Sequence, residues 1–160
     1  MIEVKPTKDM LYDVITHTIA LDNLLAGIIR TSFGLELDWN SETNELINEK
    51  VIERFDRFFM QDLGSSSKLN LIKEIIKEDY KKEKITLPKD FDNKLRNFYK
   101  IRNIFAHSLY PKHVDKREMP NFLPNNATWE DLHKEHSDIF KEINDFLIKN
   151  IYANLTISKD

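Results

Sequence analysis

The stretch Lys100-Ile101-Arg102-Asn103-Ile104-Phe105-Ala106-His107-Ser108 decides how this chain is read. Its apolar residues recur at spacings of three and four, the mark of an amphipathic helix. Phe91 and Phe98 upstream and Leu109 downstream join Ile101 and Phe105 on one side, which is expected to face a core. Arg96, Tyr99, Asn103, His107 and Tyr110 fall together on the other side. Tyrosine and arginine are enriched at interfaces, so this stripe suits a binding surface better than bare solvent. Arg102 falls at the edge between the two sides, where its stem can lie on the core margin while its head reaches out. Ala106, one turn later, is small and leaves room for the guanidinium to swing toward His107.

The rest of the chain reads as helix too. Three glycines and no regular alternation of apolar and polar residues argue against a β fold. A first helix is expected over about 8–32, with Leu11, Ile15, Thr18/Ile19, Asp22, Leu25 and Ile29 along one side and Gly34 as its stop. A second is expected over about 43–62, presenting Leu46, Val51, Phe55, Phe58 and Phe59 and ending at Gly64. Ser65-Ser66-Ser67 offer capping hydroxyls for a third over about 67–82, whose apolar side carries Leu69, Ile72, Ile75 and Ile76. The helix that holds the opening stretch begins near Asp90, after Pro88, and runs to about Tyr110, where Pro111 limits it. Residues 111–127 show no period and hold three prolines, so a long loop is expected there. Thr128 with Asp131 suggests a capping arrangement for a last helix over about 129–155, with Trp129, Leu132, Ile139, Ile143, Phe146 and Ile151 on its inner side. The expectation is a single all-α domain over 1–160, an up-and-down bundle of about five helices.

Composition narrows the function. There is no cysteine, so disulfides and thiolate metal sites are excluded. No basic region followed by an apolar run opens the chain, and no segment is long and apolar enough to span a bilayer, so neither leader nor membrane contact is expected and a cytoplasmic protein is. The net charge is −3. Residues 89–117 nevertheless carry eight Lys/Arg against three Asp/Glu, while residues 2–62 and 118–160 are acidic. The positive charge gathers around Arg102 and His107, and a local basic surface attracts phosphate even on an acidic protein.

An arginine and a histidine are what metal-free RNA cleavage needs. The 2′-hydroxyl attacks the adjacent phosphorus, which calls for a base, an acid for the leaving 5′-oxygen, and positive charge on the crowded phosphoryl oxygens. Histidine titrates near neutrality and serves as base or acid. Arginine stays charged and offers a planar fork to phosphate. Asn103 can orient either group. Arg96, Tyr99, Lys100, Tyr110 and Lys112 are the candidate nucleic-acid contacts. The other reading is structural: Arg102 caps the core and binds a carbonyl or carboxylate of another helix, and His107 is a helix-end residue interacting with the dipole.

The spacing of arginine, four residues, histidine resembles the signature of the HEPN superfamily of all-helical nucleotide- and RNA-handling domains. The fuller string Ile101-Arg102-Asn103-x-Phe105-Ala106-His107-Ser108 is also similar to a segment of the mannitol operon repressor family. The resemblance covers about residues 65–110. The first likeness implies a HEPN-like fold and a metal-independent endoribonuclease, in the setting of a toxin with an antitoxin partner or of phage defence. Its composite site would form at a homodimer interface, which supplies a second histidine. There Arg102 would stabilise phosphoryl charge, His107 transfer protons and Asn103 orient. The second likeness implies a non-catalytic regulator acting through protein contacts.

Other clusters give weaker expectations. His133 and His136, with Glu130, have metal-ligand spacing on a helix, but His136 falls on the apolar stripe and reads as a core histidine. His17 has Asp13 four residues earlier, an ordinary helical pair. His113, Lys116 and Arg117 join Lys112 on the loop. No Gly-rich phosphate loop, HExxH or Ser/His/Asp pattern is present, so no cofactor and no metal are expected.

Overall fold

The structure is a computed structural model that describes residues 5–35, 39–43, 45–46, 48–79, 85–108 and 127–152. The fold is all-α, with five helices among the described residues: α1 (Lys8–Ser32), α2 (Glu49–Phe55), α3 (Ser65–Asp79), α4 (Phe91–Ser108) and α5 (Trp129–Leu147). Single π turns, Asp56–Met60 and Ile148–Tyr152, continue α2 and α5. A two-residue antiparallel pair, β1 (Trp39–Asn40) with β2 (Glu45–Leu46), precedes α2. The loop expected at 111–127 falls, except for Ala127, outside the described residues.

Local chemistry explains most helix ends. Thr7 Oγ1 accepts from the Met10 amide at 3.2 Å and opens α1. At the other end Gly34 takes φ +73°, the Gly34 amide donates to Thr31 O and the Leu35 amide donates to Arg30 O, both at 2.9 Å. This is a Schellman closure, which satisfies the last carbonyls and needs the left-handed residue that glycine supplies. The Thr128–Asp131 capping box forms as expected. The Thr128 amide donates to Asp131 Oδ2 and the Asp131 amide to Thr128 Oγ1, each at 3.1 Å.

The second helix differs from expectation. It starts at Glu49, not near 43, because the polar run after Trp39 turns back into the short strand pair. The π turn then adds a residue to the helical repeat and shifts its phase, with the Gln61 amide donating to Asp56 O at 2.9 Å. Ile52 in α2 is buried and Val51 exposed; beyond the phase shift Met60 is buried, while Phe58 and Phe59 are exposed. The third helix begins at Ser65, so the serines lie in its first turn, and the Gly64 carbonyl accepts from the Lys68 amide.

The chain divides into two compact units, Met1–Leu21 with Pro88–Asp145, and Asp22–Leu87 with Phe146–Asp160. In the first, α4 runs against the N-terminal half of α1 and most of α5. Val14, Ile101, Phe105 and Leu132 form its core cluster, flanked by Met10, Leu11, Ile104 and Trp129. Phe98 meets His136, and Phe105 meets Trp129, so α4 is antiparallel to α5. In the second, Leu25, Ile28, Ile29, Ile52, Ile72 and Ile151 are buried. Phe33, Phe55 and Phe59 cluster with ring centroids 5.0–6.0 Å apart, and Arg30 pairs with Asp56 at 3.3 Å.

Candidate functional site

The motif helix α4 is launched by Asp90, which takes φ 58°, a left-handed conformation that aspartate tolerates better than most residues. The Asp90 carbonyl accepts from the Lys94 amide at 2.8 Å. At the far end the Ser108 hydroxyl donates to the Phe105 carbonyl at 2.6 Å. Phe91, Leu95, Phe98, Tyr99, Ile101 and Phe105 are the buried residues of the helix.

Tyr99 corrects the sequence reading. It was expected on the open side with Asn103 and His107, yet it is 8% exposed and stands edge-on to Phe98, with centroids 5.4 Å apart. The packed arc of α4 is therefore wider than the phenylalanines alone imply. The open arc is therefore Arg96, Lys100, Asn103 and His107, all exposed. Tyr110 and Lys112 lie outside the described residues.

Arg102 stands apart from that arc. It is half-buried, and its Nε is enclosed with no hydrogen-bond partner among the described residues. The helical repeat sets it about 140° from His107. No hydrogen bond or ion pair joins Arg102, Asn103 and His107 to one another among the described residues. Within the chain the arginine thus emerges from the packed margin and the histidine from the open side.

The structure also assembles a group that the sequence reading left scattered. Asp13 pairs with His133 across α1 and α5, Oδ2 to Nε2 at 3.0 Å, instead of with His17 on its own helix. His17 lies flat on Phe140, centroids 4.3 Å apart. His136 is fully buried, as its place on the apolar stripe suggests, and lies flat on Phe98 at 4.0 Å. Burial pushes His136 down to about 3, with His17 and His133 adding to the shift. His17 is lowered too, by burial first, against the raising effect of Asp13. The spacing of side chains on one helix cannot reveal which partner a neighbouring helix will bring, which is why the Asp13–His133 pair was missed. Among the described residues no set of three or more His, Asp or Glu side chains is arranged to hold a metal ion.

An open groove of about 390 Å³ lies on α5, lined by Asp131, Lys134, Glu135, Asp138 and Glu142 with Lys94 of α4 at its edge. Lys94 and Glu142 pair across it at 2.6 Å. None of the candidate motif residues lines it, and its acidic wall does not suit a polyanion. Among the described residues no helix is long and apolar enough to cross a membrane. No family model matches this chain, and neither does any curated protein or solved structure.

Proposed function

We propose that this protein is a HEPN-like, metal-independent endoribonuclease whose cutting surface is the open side of α4. The observation that carries the reading is the exposed alignment of Arg96, Lys100, Asn103 and His107 on one arc of that helix. Two cations, an amide and an imidazole in line suit a phosphodiester backbone beside a proton-transfer group. His107 takes the proton from the 2′-hydroxyl or gives one to the leaving 5′-oxygen. Asn103 orients the phosphate, and Arg102 reaches from the helix margin toward the phosphoryl oxygens.

A single histidine does not serve both transfers at once, so the reading includes a homodimer that brings two α4 helices together. With Tyr99 turned inward, that face is cationic and not aromatic. Two such faces repel unless an anion lies between them, which fits a backbone of RNA threaded through a shared cleft. A cytoplasmic site of action, as toxin or phage-defence effector, belongs to the same proposal.

A second reading keeps a specific observation in its favour. Arg102 is half-buried at the packed margin of α4, where a structural arginine lays its stem, and a non-catalytic regulator acting through protein contacts, as in the mannitol operon repressor family, needs no more. One experiment separates the two: purified protein incubated with single-stranded RNA in EDTA. The nuclease reading expects cleavage, reduced at least ~10²-fold by His107→Ala, since that is the usual worth of a general acid or base. Arg102→Ala abolishes activity with the far-UV circular dichroism unchanged, and Arg102→Lys restores part of it. Cleavage that survives both alanine variants, or that requires added metal, refutes the nuclease reading. An inactive chain whose Arg102→Ala variant is merely unstable supports the regulator.

A further inference from the structure

We propose that the ring layer of His17, Phe98, His136 and Phe140 is an acid-sensitive latch, in which proton uptake at His136 releases α5 from α1 and α4. The inference does not depend on the nuclease reading.

The layer draws rings from all three helices of the first unit. His136 of α5 lies between Phe98 of α4, 4.0 Å away, and His17 of α1, whose centroid is 6.1 Å distant with the planes only 12° apart. Phe140 covers His17 on the same layer. A change at this ring is therefore felt by every helix of the unit.

The hydrogen bonds around His136 assign its protonation. The Thr18 hydroxyl donates its one proton to the Val14 carbonyl at 2.7 Å. Thr18 Oγ1 also lies 3.5 Å from His136 Nε2, and with its proton committed it can only accept there. The contact is satisfied by the neutral imidazole that carries its proton on Nε2. Nδ1 is left with its lone pair, enclosed and with no hydrogen-bond partner among the described residues. That nitrogen is the basic atom of the layer, and it is where an added proton goes.

A proton on Nδ1 creates a buried cation with no acceptor beside it. The titratable and charged groups around it do not relieve this. On α1 these are His17, which repels, and Asp13, which is already held by His133 at 3.0 Å. On α5 the facing group is His133, a further source of repulsion. On α4 the charged neighbours one turn to either side of Phe98 are Lys94 and Arg102, both cationic, with Lys94 engaged by Glu142. The face of Phe98 attracts a cation, but burial outweighs it, since the net effect holds His136 far below the usual histidine value.

The sign of the linkage follows. The folded chain resists the proton and the unfolded chain, with histidine near 6.5, accepts it, so stability is complete above pH 6.5 and is lost as pH falls toward 3. For a shift of this size the unfolding constant rises roughly 10²-fold between pH 7 and pH 4 from His136 alone. His17 is lowered in the same direction and adds to it.

The test is urea unfolding of the full chain at pH 7 and pH 4, native against His136→Leu, read by far-UV circular dichroism. The native chain should lose stability by about 10²-fold more, in unfolding constant, than the leucine variant over that range. This difference cancels the carboxylates that both proteins share. Should His136→Leu fail to fold, the native protein decides the matter through NMR titration of its histidine Cε1 protons. A His136 resonance that stays neutral to below pH 5, moving only as α5 amide exchange accelerates, supports the latch. A His136 that titrates near 6.5 in a chain that remains folded overturns it, as does equal acid sensitivity in the two proteins. Cleavage is not measured in either arm, so loss of the nuclease reading leaves the result intact.

Discussion

Truncating Phe105 probes the packed side of α4, on which the orientation of the whole candidate site depends. The ring is 1% exposed and stands edge-on to Trp129, centroids 5.1 Å apart and planes at 69°. Val14, Ile101 and Leu132 surround it from three different helices, so the space left by an alanine cannot close by one side chain moving. Buried Phe→Ala changes cost about 3–5 kcal/mol, and an aromatic pair adds roughly 1 kcal/mol to the area lost. The rigid surroundings keep Phe105→Ala off the low end of that range, at about 4 kcal/mol. With a urea slope of ~2 kcal/mol per molar, the midpoint falls by roughly 2 M. The assay is urea unfolding followed by the fluorescence of Trp129 in a Trp39→Phe background, which leaves one tryptophan as reporter of the first unit. Phe58, 70% exposed, is the control, and Phe58→Ala is expected within ~0.5 kcal/mol of the parent. A loss below ~1 kcal/mol for Phe105→Ala, or one no larger than the control, refutes the packing argument. The division of α4 into packed and open sides falls with it.

Two further outcomes follow from named contacts. Asp131→Ala removes one half of the capping box on α5 and should cost about 1 kcal/mol in the same urea assay, whereas no loss at all would mean the box contributes nothing in solution. Sedimentation at micromolar concentration should give twice the 19.0 kDa chain mass, more firmly with an RNA oligonucleotide present than without it. A strict monomer in both conditions removes the composite site.

Helix positions were more legible in the sequence than helix rotations. The bounds expected for the first helix, 8–32, are those found, because Thr7 and Gly34 mark its ends chemically. Its buried side was not legible: Ile15 and Ile19 are about half-exposed, while Val14, Leu21 and Ile28 are buried. The segment is apolar on most of its circumference, so only the packing of other helices selects a side. On the third helix the lysines confine the apolar stripe, and Leu69, Ile72, Ile75 and Ile76 are all buried as expected. Along the last helix the stripe of Leu132, Ile139, Ile143 and Ile151 is likewise buried, and a π turn, Ile148–Tyr152, continues it. The π turn after Phe55 could not be foreseen, since periodicity assumes an unbroken repeat, and it moved Phe58 and Phe59 outward. At the candidate site, Phe98, Ile101 and Phe105 lie in the core as the wheel requires, while Tyr99 does not share the open face. The contact of Asp13 with His133 joins residues far apart in sequence, and no local spacing encodes it.

On the proposed reading, α4 presents a site for metal-free attack by a 2′-hydroxyl, and the ends of the cleaved strand report that chemistry. A single-stranded RNA cut in EDTA by the native protein should yield a 2′,3′-cyclic phosphate, or its opened form, and a 5′-hydroxyl. Replacing the nucleotide 5′ to the cut by its 2′-deoxy form should block that cut alone. Products bearing a 5′-phosphate and a 3′-hydroxyl, or cleavage that continues at the deoxy position, rule out attack by the 2′-hydroxyl at α4.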